Sequence, residues 1–327
     1  MYSSTAKTDI REDELNRIDR HLLGILLQDK TTKTNIIWAT DDYAHYGREF
    51  ESSFQIMPEQ ISLNFPCLIQ PRICKDPSEQ SNRTKQKAEV FTPSWVCNIQ
   101  NNLIDASWFG YENVFNITCD KDWKETNRIF FPKDKHWQRY VDTQRLEISC
   151  GEAPYLVSRY DTVSGKTIEI GKRIGLLDRK LRVVNENVNK KQHDEWVRWA
   201  IRAVQSVFGY EFQGDNLLLA RENVLFTFID YYEDRFGKDP EIRLLKQLAN
   251  IISWNIFQMD GLTLQVPFPD SGIRNHNYQT DLFGINDFLN DLTADQNHQK
   301  KANNYYCRVF DWRSKQSIEF RSLLKQK

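Results

Sequence analysis

Apolar positions divide the chain into helical and strand-like stretches. Between Asp13 and Gln28, Leu15, Ile18, Leu22, Leu23 and Leu26 recur every three or four residues, which predicts one amphipathic helix. NIIWAT (35–40) reads as a short strand, followed by the polar, aromatic loop DDYAHYG. Residues 70–89 hold two prolines, few apolar residues and several basic ones, the pattern of a linker or mobile loop. Such a run is either a solvated surface or a strip that contacts phosphates. In FTPSWVCNIQNNLID a helix begins, with Thr92 as its cap and Pro93 in its first turn. Three apolar bursts follow at wide spacing: RLEISC (145–150), AVQSVFGYEF (203–212) and ISWNIFQMDGLTL (252–264). The stretches 216–236 and 241–254 carry helical patterns. Strand–helix alternation of this kind predicts an α/β domain with a parallel sheet.

Composition changes this picture little. With 327 residues, 40% of them hydrophobic and 13% aromatic, the chain can bury a substantial core. Its 44 basic and 45 acidic residues leave a formal charge of -1, which does not announce a nucleic-acid partner. DNA would have to meet a local basic face, or be held by another subunit. No apolar run reaches the ~18 residues of a membrane span, and the first twenty residues are polar, unlike a secretory leader. A cytoplasmic protein is expected. The six cysteines form no C-x-x-C pair and have no histidine cluster beside them, so reduced, mostly buried thiols are expected rather than a metal site.

Four segments carry candidate chemistry: AEVFTPSW (88–95), RLEISCGEAPYL (145–156), VFGYEFQGDNLLLARENVL (207–225) and NIFQMDGLTL (255–264). Each alone is ordinary, because an acid at a strand end is usually a cap or a solvated loop residue. In this order they resemble the adenine-N6 DNA methyltransferases of restriction–modification systems, in particular proteins described as restriction endonuclease subunit M. The resemblance spans roughly residues 85–327, and more loosely NIIWATDDY. It implies a Rossmann-like methyltransferase sheet with helices on both faces over residues 86–327, C-terminally incomplete relative to the family. Residues 1–85 would form a small helical or mixed extension with a basic linker.

The resemblance also implies S-adenosylmethionine as cofactor and assigns residues to it. Phe91, Thr92 and Pro93 would pack over its methionine part. Glu147, opening the turn that continues through Cys150, Gly151 and Ala153, would hold the ammonium. Gly151 gives the backbone close approach, whereas Ala153 stands where the family has a second glycine and lacks that residue's easy access to positive φ. Glu211 would accept from both ribose hydroxyls, and Asp260 from the adenine amine.

One family element is missing: the Asn/Asp-Pro-Pro-aromatic tetrapeptide that holds the amine of a flipped base. In longer relatives a segment like CRVFDWRSKQSIEF shortly precedes it, so catalysis is expected to need a partner chain that also supplies DNA recognition, with a restriction or specificity subunit in the assembly. No catalytic residue is assigned. Asp41, Asp42 and Tyr43 have acidic–aromatic chemistry without the prolines, and a structural turn or partner contact is the plainer reading. The competing expectation is a non-catalytic, degenerate methyltransferase-fold subunit of a restriction or phage-defence complex. A methyltransferase acting on small molecules or proteins is a third reading.

Overall fold

The computed structural model describes residues 8, 12–65, 67–87, 92–268 and 305–324. Two short helices, α1 (Glu12–Ile18) and α2 (Leu22–Leu27), replace the single helix expected over 13–28. The break lies at Asp19, whose carboxylate accepts the His21 N–H at 2.8 Å and so draws the local backbone out of the helical pattern. NIIWAT is extended but joins no ladder, making only isolated bridges (Gln28–Asn35 and Ile37–Gln55).

Within 70–89, residues Pro77–Lys87 form helix α3 instead of a linker. The solvated-surface reading fails at Lys75 and Arg83, which are both buried. Helix α4 (Ser94–Phe109) follows, then an antiparallel hairpin of β1 (Asn116–Cys119) and β2 (Asp122–Glu125) and helix α5 (Trp137–Asp142).

The three predicted strands are β3 (Arg145–Glu147), β4 (Val207–Glu211) and β5 (Ile256–Gln258). They lie side by side in that order, all parallel. Helices α6 (Leu176–Asn187) and α7 (His193–Gln205) fill the long connection from β3 to β4. Helices α8 (Gly214–Phe236) and α9 (Ile242–Asn255) connect β4 to β5. A second hairpin, β6 (Arg308–Asp311) with β7 (Gln316–Glu319), carries the CRVFDWRSKQSIEF segment. The architecture is mixed α/β, with a small parallel sheet and surrounding helices.

Helix α8 is buried along most of its length, its apolar residues together with polar ones such as Asp215, Arg221 and Asp230. One hydrophobic cluster joins it to the sheet and to N-terminal residues including Leu22, Leu26, Trp38 and Ile56. Polar contacts reinforce this. The Gln258 amide imitates a peptide group: its Oε1 accepts the Ile37 N–H at 2.9 Å, and its Nε2 donates to the Ile37 carbonyl at 2.8 Å. A Cβ at Gly214 would lie 2.1 Å from that same carbonyl, so no larger residue fits. Cys97, Cys150 and Cys307 are buried, Cys67 is half-buried, and Cys74 and Cys119 are exposed. No helix among the described residues is long and apolar enough to cross a membrane.

Candidate functional site

Strand register determines which side chains meet. Glu147 pairs with Gly209, Gly209 with Ile256, and Glu211 with Gln258. Side chains alternate along a strand, so Glu147, Glu211 and Gln258 share one face of the sheet. The missing side chain of Gly209 lets Cys150 settle between them: a Cβ there would come within 3.1 Å of the Cys150 Sγ.

The turn after β3 is built from left-handed residues, Ser149 (φ 47°), Gly151 (φ 52°) and Ala153 (φ 64°). Ala153 therefore adopts the conformation for which glycine is favoured. Its methyl is fully buried and its N–H donates to the Cys150 carbonyl at 2.7 Å, contacts that offset the strain of that φ. The Cys150 N–H donates to the Tyr210 carbonyl at 2.8 Å, and the Gly151 N–H to Glu211 Oε2 at 2.9 Å. A phosphate-cradling loop leaves such N–H groups open to its ligand. Here they are engaged, so the turn suits a ligand without phosphate.

Glu147 is 8% exposed and Glu211 7%. Glu147 accepts the N–H groups of Tyr155 (3.2 Å) and Leu156 (3.1 Å). Burial pushes its carboxyl up to about 8; those two hydrogen bonds oppose the shift and the neighbouring Glu211 adds to it. Glu211 accepts from Gly151 and, through Oε1, from Gln213 N–H at 3.1 Å. Burial raises its pKa also, against those hydrogen bonds. Neither carboxylate has a lysine or arginine within ion-pairing distance among the described residues.

The other expected residues lie around this pair. Asp260 stands two residues beyond the end of β5 and closes a turn, its Oδ1 accepting the Leu262 N–H at 2.8 Å and the Thr263 N–H at 3.3 Å. Its chain neighbour Met259 donates to the Glu211 carbonyl at 3.0 Å. Thr92 lies beside the hydroxyl of Tyr155, whose backbone binds Glu147. The expected cap is displaced: Pro93 is the N-cap of α4, and the Ser94 N–H is satisfied by Asp161 at 2.7 Å. A distant carboxylate reaches further into the first turn than the Thr92 side chain does. Phe91 lies outside the described residues.

No protein-family model, curated protein or solved structure matches this chain.

Sequence reasoning gave no function to Glu152, which anchors the turn. It accepts the Arg72 N–H at 2.7 Å and the Tyr160 hydroxyl at 2.5 Å. The first of these partners is 80 residues away, so no local pattern announces it. A second missed group surrounds Asp215 at the start of α8. This carboxylate accepts from the Tyr43 hydroxyl at 2.8 Å and from Arg83 at 2.5 Å, with the Lys75 ammonium 3.5 Å away. Arg83 also pairs with Asp42 at 3.1 Å. Asp42 and Tyr43 thus belong to a buried network rather than to an open acidic–aromatic loop.

Proposed function

We propose that this chain is the S-adenosylmethionine-binding portion of an adenine-N6 DNA methyltransferase, with a Rossmann-like sheet of which β3, β4 and β5 are one part. The observation that carries the reading is the meeting of Glu147, the Gly151 turn and Glu211 at the carboxyl ends of adjacent parallel strands. That is where open α/β sheets bind nucleotide-like ligands.

The residues present fit the cofactor. Glu211 accepts the backbone N–H groups of Gly151, Gln213 and Phe212 and keeps acceptor capacity for a ribose hydroxyl. Asp260 uses only Oδ1 in its turn, leaving Oδ2 for an exocyclic amine. Glu147 offers a carboxyl with no cation beside it, suited to an ammonium. When bound, the cofactor supplies an electrophilic methyl group. The part played by this chain is to orient the cofactor and exclude water from it. The DNA base, its recognition and the amine-holding loop come from a partner subunit.

One observation favours a second reading. Both oxygens of Glu147 are engaged by the chain's own backbone. A carboxyl that merely pins the 155–156 segment would serve a non-catalytic subunit of a restriction or phage-defence complex equally well.

Isothermal titration of S-adenosylmethionine into the purified chain separates the two. Saturable binding is expected, and Glu211→Ala should weaken it by about ten- to a hundredfold, through loss of charge-assisted hydrogen bonds. Binding by neither protein, with both folded by circular dichroism, would leave the scaffold reading standing. Equal affinity in the two would remove Glu211 from the site.

A further inference from the structure

At one edge of the three-stranded sheet lies β3, from which β4 and β5 step away in chain order. In a parallel ladder, alternate residues direct both backbone groups to the same neighbour. The Arg145 N–H donates to the Ser206 carbonyl at 2.9 Å and the register continues through Glu147, so these two residues face β4. Leu146 therefore turns its N–H and C=O outward, and Ile148 follows by the same alternation. No described strand pairs with that side of β3.

The side chains around this edge are apolar and open to solvent. Leu146 is 44% exposed and Ile148 67%. Helix α4 adds Leu103, 67% exposed, and Ile104, which with Arg145 at the start of β3 wall a cleft of about 640 Å³. Native sheets blunt such an edge with proline, lysine or a bulge. Neither outward residue is of that kind, and the β3–β4 register is unbroken. Exposed aliphatic side chains flanking unpaired backbone groups make a template for an added strand.

We infer that the open edge of β3 takes a strand from a separate polypeptide, added in parallel and bearing alternate apolar side chains. Its direction follows from topology. In this order β3, β4 and β5 form one half of a doubly wound sheet, whose first strand pairs in parallel with the first strand of the other half. A second copy of this chain fits less well. An antiparallel contact between two β3 strands that used both outward residues would set the two Glu147 side chains directly opposite each other, and no cation accompanies either carboxyl. A parallel strand instead brings its carboxyl end to the side of the Gly151 turn. That it belongs to the subunit supplying DNA recognition rests on the proposed function; the strand contact itself needs no cofactor.

An array of peptides of about six residues, alternating threonine with valine, isoleucine, leucine or phenylalanine, tests it when probed with the fluorescently labelled full chain. Binding by members of the array is expected, with the Leu146 and Ile148 amides protected from hydrogen exchange in the complex. N-methylation of alternate amides along one edge of a binding peptide should abolish it, because those amides supply the ladder. Ile148→Lys and Leu146→Lys should each weaken binding about tenfold, by setting an ammonium against an apolar strand. Ile148 is the more exposed, so its variant keeps the test valid even if Leu146→Lys fails to fold. Leu262→Lys, at an exposed position beyond β5, should change nothing. No binding across the array would overturn the inference, as would binding that survives both N-methylation and Ile148→Lys. So would a dimer, seen by light scattering, that Ile148→Lys dissolves, since the edge then belongs to a second copy. Strand binding by a chain that takes up no S-adenosylmethionine would sustain the edge and remove the cofactor site, so the two readings fail separately.

Discussion

Two buried carboxylate clusters in this molecule have opposite electrostatics. At the strand ends, Glu147 and Glu211 are held by backbone N–H groups alone, and burial raises both pKa values. At the start of α8, burial would raise Asp215 in the same way, but Arg83 and Lys75 override it and hold the carboxyl well below its usual range. Burial is nearly the same in the two places; the counter-ion differs. The Asp215 network is complete in itself and ties α3 and the Asp42–Tyr43 loop to α8. The strand-end pair has donors but no cation, as a site does when the ligand brings the charge.

The sharpest way to break this comparison is to remove the completed partner. Asp215→Ala leaves Arg83 and Lys75 buried beside Tyr43 without their carboxylate. The expected loss is about 3–5 kcal/mol of unfolding free energy, measured by urea denaturation near neutral pH. Because the native pKa of Asp215 is depressed, its contribution is present above the unfolded-state value near 4 and fades as pH falls through the native one. The gap between wild type and variant should therefore narrow in acid. A loss under about 1 kcal/mol would mean that Asp42, paired with Arg83, and Glu79, which lies 3.6 Å from both cations, already neutralise them.

Glu147 should show the opposite sign with a smaller effect. Its native pKa is raised from 4.5 to about 8, so over that interval the folded state holds a proton that the unfolded state releases. Stability then falls as pH rises through the window, by roughly 1–3 kcal/mol after allowance for relaxation of the site. Glu147→Gln should remove that portion of the slope, leaving the part due to Glu211. Melting temperatures across pH 5–9 would measure it, and parallel curves for the two proteins would show Glu147 ionised throughout.

Local pattern carried the elements near the strand ends, and long-range contact decided the rest. The apolar runs of α8 and α9 and the three strands are legible because each is a single periodicity in a row of residues. Their parallel alignment follows from alternation with helices. Lys75 and Arg83 read as solvated because nothing nearby in sequence reveals Asp215, some 130 residues on. The break at Asp19 turns on one side chain competing with a helical bond. Ala153 reads as a poor substitute for glycine, yet the fully buried site of its methyl holds the left-handed turn. Gln258 reads as a plain strand residue, and its pairing with Ile37 joins segments 221 residues apart.

The finest test asks what Glu147 does when a ligand arrives. With a pKa near 8, it is mostly protonated at pH 7 in the free protein. An ammonium brought against it favours the carboxylate, so binding at pH 7 should release about one proton. Titrating S-adenosylmethionine in buffers of different ionisation enthalpy measures that proton directly, because the apparent enthalpy shifts in proportion to it. Glu147→Gln should bind with no such dependence. If the wild type binds and releases nothing, the ammonium sits elsewhere and Glu147 is a staple for the 155–156 backbone. The comparison would then lose one carboxylate from its strand-end side, and Glu211 alone would stand as the acidic group available to the ligand.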